Sequence, residues 1–109
     1  MFHMLSCFNL KPGATVDEFY RAVAEFNAHL EKLDLVHSTG PIGRRRTDTI
    51  MDTDSERDHE YFFIMTFRDR GQCDRAVEHI YSLTEPDDAV HKAVYAMIED
   101  QIFICWEDI

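Results

Sequence analysis

The most hydrophobic stretch of the chain is Tyr61–Phe67, in which Thr66 is the only aliphatic polar residue. In a β-strand successive side chains point to opposite faces, so an almost unbroken run of apolar residues means that both faces need covering. One layer of helices covers only one face of a sheet. The segment therefore predicts a strand whose second face is buried against something else. One face would carry Tyr61, Phe63, Met65 and Phe67, the other Phe62, Ile64 and Thr66.

The N-terminal third predicts a strand followed by an amphipathic helix. Phe2–Leu10 has the length and apolar content of a strand, and Lys11, Pro12 and Gly13 form a turn signal after it. Thr15 and Glu18 make a capping box, so a helix is expected to begin at Val16. Its apolar positions keep helical spacing: Val16, Phe19, Tyr20, Val23, Phe26, Leu30 and Leu33.

The middle of the chain predicts an edge strand and a loop. Residues 35–46 have strand character, but Gly40, Pro41 and Gly43 interrupt them, and proline occurs in sheets mainly at edges or bulges. Residues 48–60 are polar and acidic with no sustained period, which is typical of a loop.

The C-terminal part predicts a broken helix and a last strand. A helix after Gly71 has an inner stripe of Cys73, Ala76, Val77, Ile80 and Tyr81. Thr84 to Asp88 interrupts it and offers Thr84 as a new cap. A second helical piece is expected to carry Val90, Val94, Met97 and Ile98 on one stripe, overlapped by a stripe of His91, Val94, Tyr95 and Ile98. Residues 101–106 then form a strand that is apolar on both faces.

This order of elements, βαββαβ, predicts an α+β fold of the ferredoxin-like type. Such a fold has a four-stranded antiparallel sheet with helices on one face, here as one domain over residues 1–109. The other face stays apolar, and burying it against an identical sheet contributes about 25 cal/mol per Å² of apolar area. We therefore expect a homodimer formed through the sheet, which is a dimeric α/β barrel.

Composition and charge exclude several classes of protein. The net charge of −10 disfavours nucleic-acid binding, because such a surface repels phosphate. No apolar run approaches the roughly 18 residues of a membrane span, and the N-terminus lacks the basic flank of a signal peptide. We expect a cytoplasmic protein without a membrane partner. The three cysteines have neither zinc-site spacing nor the density of a disulfide scaffold.

Several short motifs resemble one family. Phe8 to Gly13 before a helix near Thr15 resembles the first strand and turn of the stress-responsive A/B barrel domains, members of the dimeric α/β barrel superfamily. Tyr81, Pro86 and His91 resemble that family's aromatic, proline and histidine stretch, and Glu99 to Asp108 resembles its closing strand. The superfamily includes antibiotic-biosynthesis monooxygenases and plant polyketide cyclases, so the resemblance implies the fold and the dimer more specifically than the reaction.

His91 and Tyr81 are the catalytic candidates that this resemblance implies. His91 resembles the helix histidine that is the general base of the polyketide cyclase branch, and Tyr81 is the nearest match to its tyrosine partner. An imidazole titrates near neutral pH and a phenol donates a hydrogen bond to an oxygen. The alternative is a helix histidine bound to a backbone carbonyl or water. His3 is one residue out of register with the first-strand histidine of that branch, which turns its side chain to the other sheet face.

His37, Arg45 and Phe63 are the ligand-binding candidates. Phe63 would form part of an apolar wall, His37 would line a pocket if its imidazole faces inward from the edge strand, and Arg45 belongs to the basic run 44–46. That run would hold an anionic ligand or, alternatively, form an ion-paired strand end. The histidines and the acidic loop lack zinc-site or EF-hand spacing, so we expect no metal. We expect no cofactor.

These features leave more than one function open. The first hypothesis is a homodimer that binds a small, partly apolar organic molecule between sheet and helices, with or without cofactor-independent acid/base chemistry by His91. The second is a non-catalytic stress-related or structural dimer with a filled interior. The third is a cofactor-independent monooxygenase. The space next to His91 distinguishes the second hypothesis from the first.

Overall fold

The computed structural model describes residues 1–82 and 88–109 and confirms the ferredoxin-like fold. Three long strands, β1 (Phe2–Leu10), β4 (Tyr61–Phe67) and β5 (Ile98–Glu107), form most of an antiparallel sheet in which β1 pairs with both β4 and β5. With the short strand β2 (Ser38–Thr39) included, the strand order is β2-β4-β1-β5. The predicted caps and breaks at Thr84 and Pro86 lie outside the described residues.

The edge of the sheet beside β4 consists of two short strands. They are β2 (Ser38–Thr39) and β3 (Gly43–Arg44), and both pair with β4. The sequence predicts one edge strand over residues 35–46. The Gly40 amide still donates to the Ile64 carbonyl at 2.8 Å, but Pro41 has no amide hydrogen, so the ladder stops and resumes at Gly43.

The first helix, α1 (Val16–Lys32), begins where the capping box predicts. The Thr15 hydroxyl accepts a hydrogen bond from the Glu18 amide at 3.2 Å, and Gly13 adopts a φ of 89° in the preceding turn. Phe19, Val23 and Leu30 are buried against the sheet. These three residues of the predicted stripe form the packed face of α1, whereas Tyr20 and Leu33, which the helical spacing also places in it, are 47% and 44% exposed.

The second and third helices are α2 (Arg70–Ser82) and α3 (Ala89–Tyr95). The prediction that Ile98 continues the second helical stripe is wrong, because Ile98 is the first residue of β5 and pairs with Leu10. The Lys11 amide donates a hydrogen bond to the Met97 carbonyl at 2.9 Å, so pairing with the first strand ends the helical segment. β5 therefore starts three residues earlier than predicted, and Asp100 adopts a φ of 58° within it.

The two faces of the sheet differ in how they are covered. The helix side is the core, where Phe8, Phe63, Met65 and Phe67 pack under the helices. The opposite side, called the outer face below, carries apolar side chains with no layer over them among the described residues. Ile64, Ile104 and Trp106 are 39%, 44% and 42% exposed there. The outer face consists of Leu5, Phe62, Ile64, Ile102, Ile104 and Trp106.

The loop between β3 and β4 is anchored at one end of the outer face. The His59 imidazole donates through Nε2 to the Asp100 carbonyl at 2.7 Å, and the Glu60 amide donates to the Asn9 side chain at 2.8 Å. Burial raises the pKa of Cys7, and the nearby Arg57 opposes that rise. The loop is therefore hydrogen-bonded to both β1 and β5 at this end of the sheet. No helix within 1–82 or 88–109 is long and apolar enough to cross a bilayer.

Candidate functional site

A cavity of about 270 Å³ lies between the helices and the helix side of the sheet. It is called the helix-side cavity below. Its walls are mostly aromatic and aliphatic, because β1 and β4 each present every second residue to it, β5 adds Ile98, Gln101 and Phe103, and the helices add their inner stripes. The phenylalanines of the wall are Phe8, Phe19, Phe26, Phe63, Phe67 and Phe103.

Five polar side chains also line the helix-side cavity. Ser6 comes from β1 and Gln101 from β5, while Tyr81 is on α2 and His91 and Tyr95 are on α3. A few polar groups in an otherwise apolar concave site are typical of small-molecule pockets, where they fix the orientation of the ligand.

His91 is held between two aromatic rings on the cavity wall. Its ring centroid lies 4.5 Å from that of Tyr95 and 5.8 Å from that of Phe26 on α1. Burial lowers the pKa of His91, and the Asp88 carboxylate opposes this change. A lowered pKa favours the neutral imidazole, which is the form that accepts a proton.

Tyr95 is the aromatic neighbour of His91, and the sequence pattern predicts it only as part of a packing stripe. It follows His91 by four residues, which places both side chains on the same side of α3. Burial raises the pKa of Tyr95, and Tyr81 adds to the rise, so the phenol keeps its proton. The helical spacing of 91 and 95 is the signal that would have identified this pair.

Tyr81 lies at the surface end of the helix-side cavity. Its side chain lines the cavity, yet the residue is 81% exposed, and Val77 one turn earlier is 46% exposed. Along this part of α2 the cavity therefore meets the surface. The structure places His91 and Tyr81 in the lining of one cavity, and the ring in contact with His91 is that of Tyr95.

The other polar lining residues, Ser6 and Gln101, were not singled out from the sequence. Ser6 is 9% exposed and lies two residues before Phe8, so both point to the helix side. Gln101 follows the positive φ of Asp100 in β5. The alternation in β1 could have indicated Ser6, whereas the conformation at Asp100 has no comparable sequence signal.

The three ligand-binding candidates lie in different places. Phe63 is buried in the cavity wall. His37 is exposed before β2, outside the cavity lining, and its amide donates to the Thr66 carbonyl at 2.9 Å. Arg45 also lies outside that lining and forms a two-point ion pair with Asp52, with nitrogen–oxygen distances of 2.7 and 2.8 Å.

Arg45 organises the loop that follows it. Besides pairing with Asp52, its guanidinium donates to the carbonyls of Asp54 and Arg57. The hydrogen bond from Arg45 lowers the pKa of Asp52. Four acceptor atoms of the protein thus occupy this guanidinium. This is the arrangement of an ion-paired strand end, which is the alternative to an anion site given in the sequence analysis.

His3 lies on the outer face, as its register in β1 predicts. Its Nδ1 is 2.9 Å from the Thr66 hydroxyl, its Nε2 is 2.9 Å from the Asp108 carboxylate, and its ring stacks on Trp106 at 5.0 Å. The hydrogen bond from His3 lowers the pKa of Asp108. His3 therefore ties the start of β1 to the residue after β5. Across the described ranges, no three His, Cys, Asp or Glu side chains group as a metal site.

Comparisons with known proteins give a family and a fold. Residues 1–108 match a family described as "Family of unknown function (DUF6614)". A comparison with curated proteins finds no match.

Solved structures are similar over nearly the whole chain. The Arabidopsis thaliana protein At3g17210 has a TM-score of 0.74 at 9% identity, over 100% of this chain and 96% of its own. A dimeric ferredoxin-like protein of unknown function from Jannaschia sp. CCS1 has a TM-score of 0.67 at 17% identity, covering 98% of each chain. SnoaB, a cofactor-independent oxygenase from Streptomyces nogalater, has a TM-score of 0.60 at 14% identity, over 99% of this chain and 92% of its own.

Proposed function

We propose that this chain, which belongs to the family of unknown function DUF6614, binds a small and largely apolar organic molecule in the helix-side cavity. The observation that carries the proposal is the cavity of about 270 Å³ beside His91. An interior filled by side chains would instead favour a structural dimer. The polar residues of the lining are placed to orient a ligand oxygen.

The size and lining of the cavity limit the ligand class. An apolar cavity of about 150 Å³ accommodates benzene, so 270 Å³ has room for a molecule of one or two rings. Burying an aromatic or aliphatic ligand body against these apolar walls contributes about 25 cal/mol of binding free energy per Å² of apolar area. One or two oxygens on that body would satisfy His91 and Tyr95, which are otherwise costly to desolvate.

The chemistry that fits these residues is proton transfer without a cofactor. A neutral His91 takes a proton from an acidic C–H or O–H of the ligand, and the protonated Tyr95 donates a hydrogen bond to the oxygen that gains charge. Tyr81 is the second phenol candidate, at the surface end of the cavity. The structural likeness to SnoaB supplies an alternative, a cofactor-independent oxygenase, which differs by consuming O₂.

The proposed assembly is a homodimer in which the outer faces of two protomers meet. The exposed apolar residues of that face support it, since a contiguous apolar patch on a protein surface marks an interaction site. The Jannaschia neighbour is described as dimeric. The assembly would be a dimeric α/β barrel of single-domain protomers, in keeping with the resemblance to the stress-responsive A/B barrel domains.

The ligand proposal is tested by filling the cavity. Aromatic carboxylic acids, naphthoquinones and short polyketides are screened by thermal shift against the unaltered protein, and hits are titrated by calorimetry. Ala76→Leu adds bulk to the cavity wall, and we expect it to weaken binding of each hit about tenfold or more. Ala24→Leu makes the same change at an exposed position of α1 and is expected to leave binding unaltered.

The acid/base proposal is tested at His91. With a substrate from the screen, His91→Ala is expected to lower kcat by about 10²- to 10⁴-fold while ligand affinity changes less. Tyr95→Phe keeps the ring that packs on His91 and removes only the hydroxyl. Full turnover in His91→Ala would remove the catalytic role and leave ligand binding in place.

A further inference from the structure

Ser6 places a hydroxyl group in the middle of the sheet wall of the helix-side cavity. It lies on β1, the strand between β4 and β5, opposite Phe63 on one side and Phe103 on the other. All three residues line the cavity. Ser6 is only 9% exposed, so this hydroxyl is removed from bulk water and has aromatic neighbours on both adjacent strands.

The Ser6 hydroxyl has no hydrogen-bond partner within residues 1–82 and 88–109. Fully enclosed side-chain atoms without a partner occur in this part of the chain on Asn27, His59 and Asp88, and the Ser6 oxygen is not one of them. It is therefore open to the cavity that Ser6 lines. Because a buried hydroxyl without a hydrogen bond is unfavourable, a ligand atom that bonds to it is favoured.

We infer that Ser6 binds a second oxygen of the ligand, so that the molecule carries one oxygen at each end of its ring system. This inference rests on the function proposed above, in which His91 and Tyr95 bind the first oxygen. Ser6 is on the sheet and the other two residues are on α3, so the polar groups face the cavity from its two opposite layers. A ligand that contacts both layers extends across the cavity.

The lining also determines the charge of the oxygen at Ser6. Among the described residues, the lining contains no Lys, Arg, Asp or Glu side chain. A carboxylate or phosphate at Ser6 would lose its hydration without gaining a cation, which is strongly unfavourable. A serine hydroxyl can donate to a carbonyl oxygen, or donate to and accept from another hydroxyl. The sheet end of the ligand is therefore a neutral hydroxyl or carbonyl group, as in aromatic diols and quinones.

Three naphthalene derivatives test this inference by calorimetry on the unaltered protein. Naphthalene-2,6-diol has a hydroxyl at each end, 2-naphthol lacks one of them, and naphthalene-2,6-dicarboxylate is charged at both ends. We expect the diol to bind about threefold to tenfold more tightly than the naphthol, which is the usual contribution of one hydrogen bond between neutral groups. We expect no detectable binding of the dicarboxylate, and binding as tight as that of the diol would contradict a neutral sheet end.

Ser6→Ala removes the hydroxyl and leaves the rest of the cavity wall in place. It is expected to lower the affinity for the diol to that for 2-naphthol and to leave the affinity for 2-naphthol unchanged. Because the hydroxyl has no partner in the described protein, the variant is expected to unfold at the same or a higher temperature without ligand, which a structural role would not produce. Ser38→Ala makes the same change at an exposed serine of β2 and is expected to alter neither affinity.

Gln101→Met removes the other polar group of the sheet wall, which is on an exposed residue. If this variant abolishes the preference for the diol and Ser6→Ala does not, the second oxygen lies at Gln101 and the inference is wrong. Equal affinities of the unaltered protein for diol and naphthol, or an equal loss of both in Ser6→Ala, also contradict it.

These outcomes are distinct from failure of the proposed function. Equal binding of diol and naphthol leaves a ligand site in the cavity and removes only the role of Ser6. The same holds if none of the three probes binds at about 1 mM while another molecule from the screen binds and is weakened by Ala76→Leu. If no molecule binds in a manner that Ala76→Leu weakens, both the proposed function and this inference are wrong.

Discussion

Replacing Ile104 by alanine tests whether the outer face is the dimer interface. Ile104 lies on β5 opposite Leu5 of β1 and is 44% exposed. Complete burial of an isoleucine side chain stabilises by about 1.5–3 kcal/mol. Only the 44% that the protomer leaves in water is available to the interface, so each Ile104 contributes about 0.7–1.3 kcal/mol.

The two-fold symmetry of the dimer doubles this effect. Each interface contains Ile104 from both protomers, so Ile104→Ala lowers the free energy of dimer dissociation by up to about 1.3–2.6 kcal/mol. At about 1.4 kcal/mol per factor of ten, the dimer dissociation constant rises by up to about 10- to 80-fold. Ile104→Asp is expected to do more, because two carboxylates are then brought into one apolar contact.

Sedimentation equilibrium over a range of protein concentrations measures the dissociation constant. Leu33→Ala is the matched control, since Leu33 is also 44% exposed but caps the C-terminus of α1, away from the sheet. Its dimer is expected to be as tight as that of the unaltered protein. Equal dissociation constants for Ile104→Ala and the unaltered protein would refute the placement of the interface, and a monomeric unaltered protein at micromolar concentration would refute the dimer.

Two further predictions concern stability. Gln72 is 0% exposed, and its side chain accepts a hydrogen bond from the Arg68 amide at 2.8 Å and donates one to the Asp34 carbonyl at 3.0 Å. Gln72→Leu leaves both backbone groups unsatisfied, so we expect it to lower the free energy of unfolding in urea by about 2–6 kcal/mol. A loss below about 1 kcal/mol would contradict this account. Burial lowers the pKa of His91 in the folded protein. Its contribution to the free energy of unfolding is therefore complete above its pKa in the unfolded protein, about 6.5, and is lost as the pH falls through its lower pKa in the folded protein. The free energy of unfolding of the unaltered protein should therefore fall more between pH 7.5 and 5 than that of His91→Gln, and parallel pH profiles would argue against the lowered pKa.

Local sequence patterns were sufficient to predict most of the helices and strands of the fold. Thr15 and Glu18 mark the start of α1 because a cap depends on residues three apart in sequence. The apolar residues on both faces of β4 indicate a strand that needs covering on both faces, and the structure leaves Ile64 of that strand 39% exposed on the outer face. These features are set within one element, where sequence neighbours are also spatial neighbours.

The candidate site was predicted less completely, because its members come from different elements. His91 was identified from a motif, and the structure places it in the lining of a cavity together with Tyr81. The ring packed on it is that of Tyr95, since α3 is a short helix that presents positions four apart on one side. Ser6 and Gln101 reach the cavity through the register of β1 with β5, which the sequence does not state.

The sequence by itself determined the order of the elements, most of the packed face of α1 and the apolar character of both sheet faces, because these follow from side-chain periodicity along a single helix or strand. Only the tertiary structure decided where the last helix ends. Ile98 has the spacing of a helical stripe, but its pairing with Leu10 draws it into β5. Tertiary structure also decided which distant side chains meet, as His29 and His79 do across 50 residues, because such contacts depend on how whole elements pack.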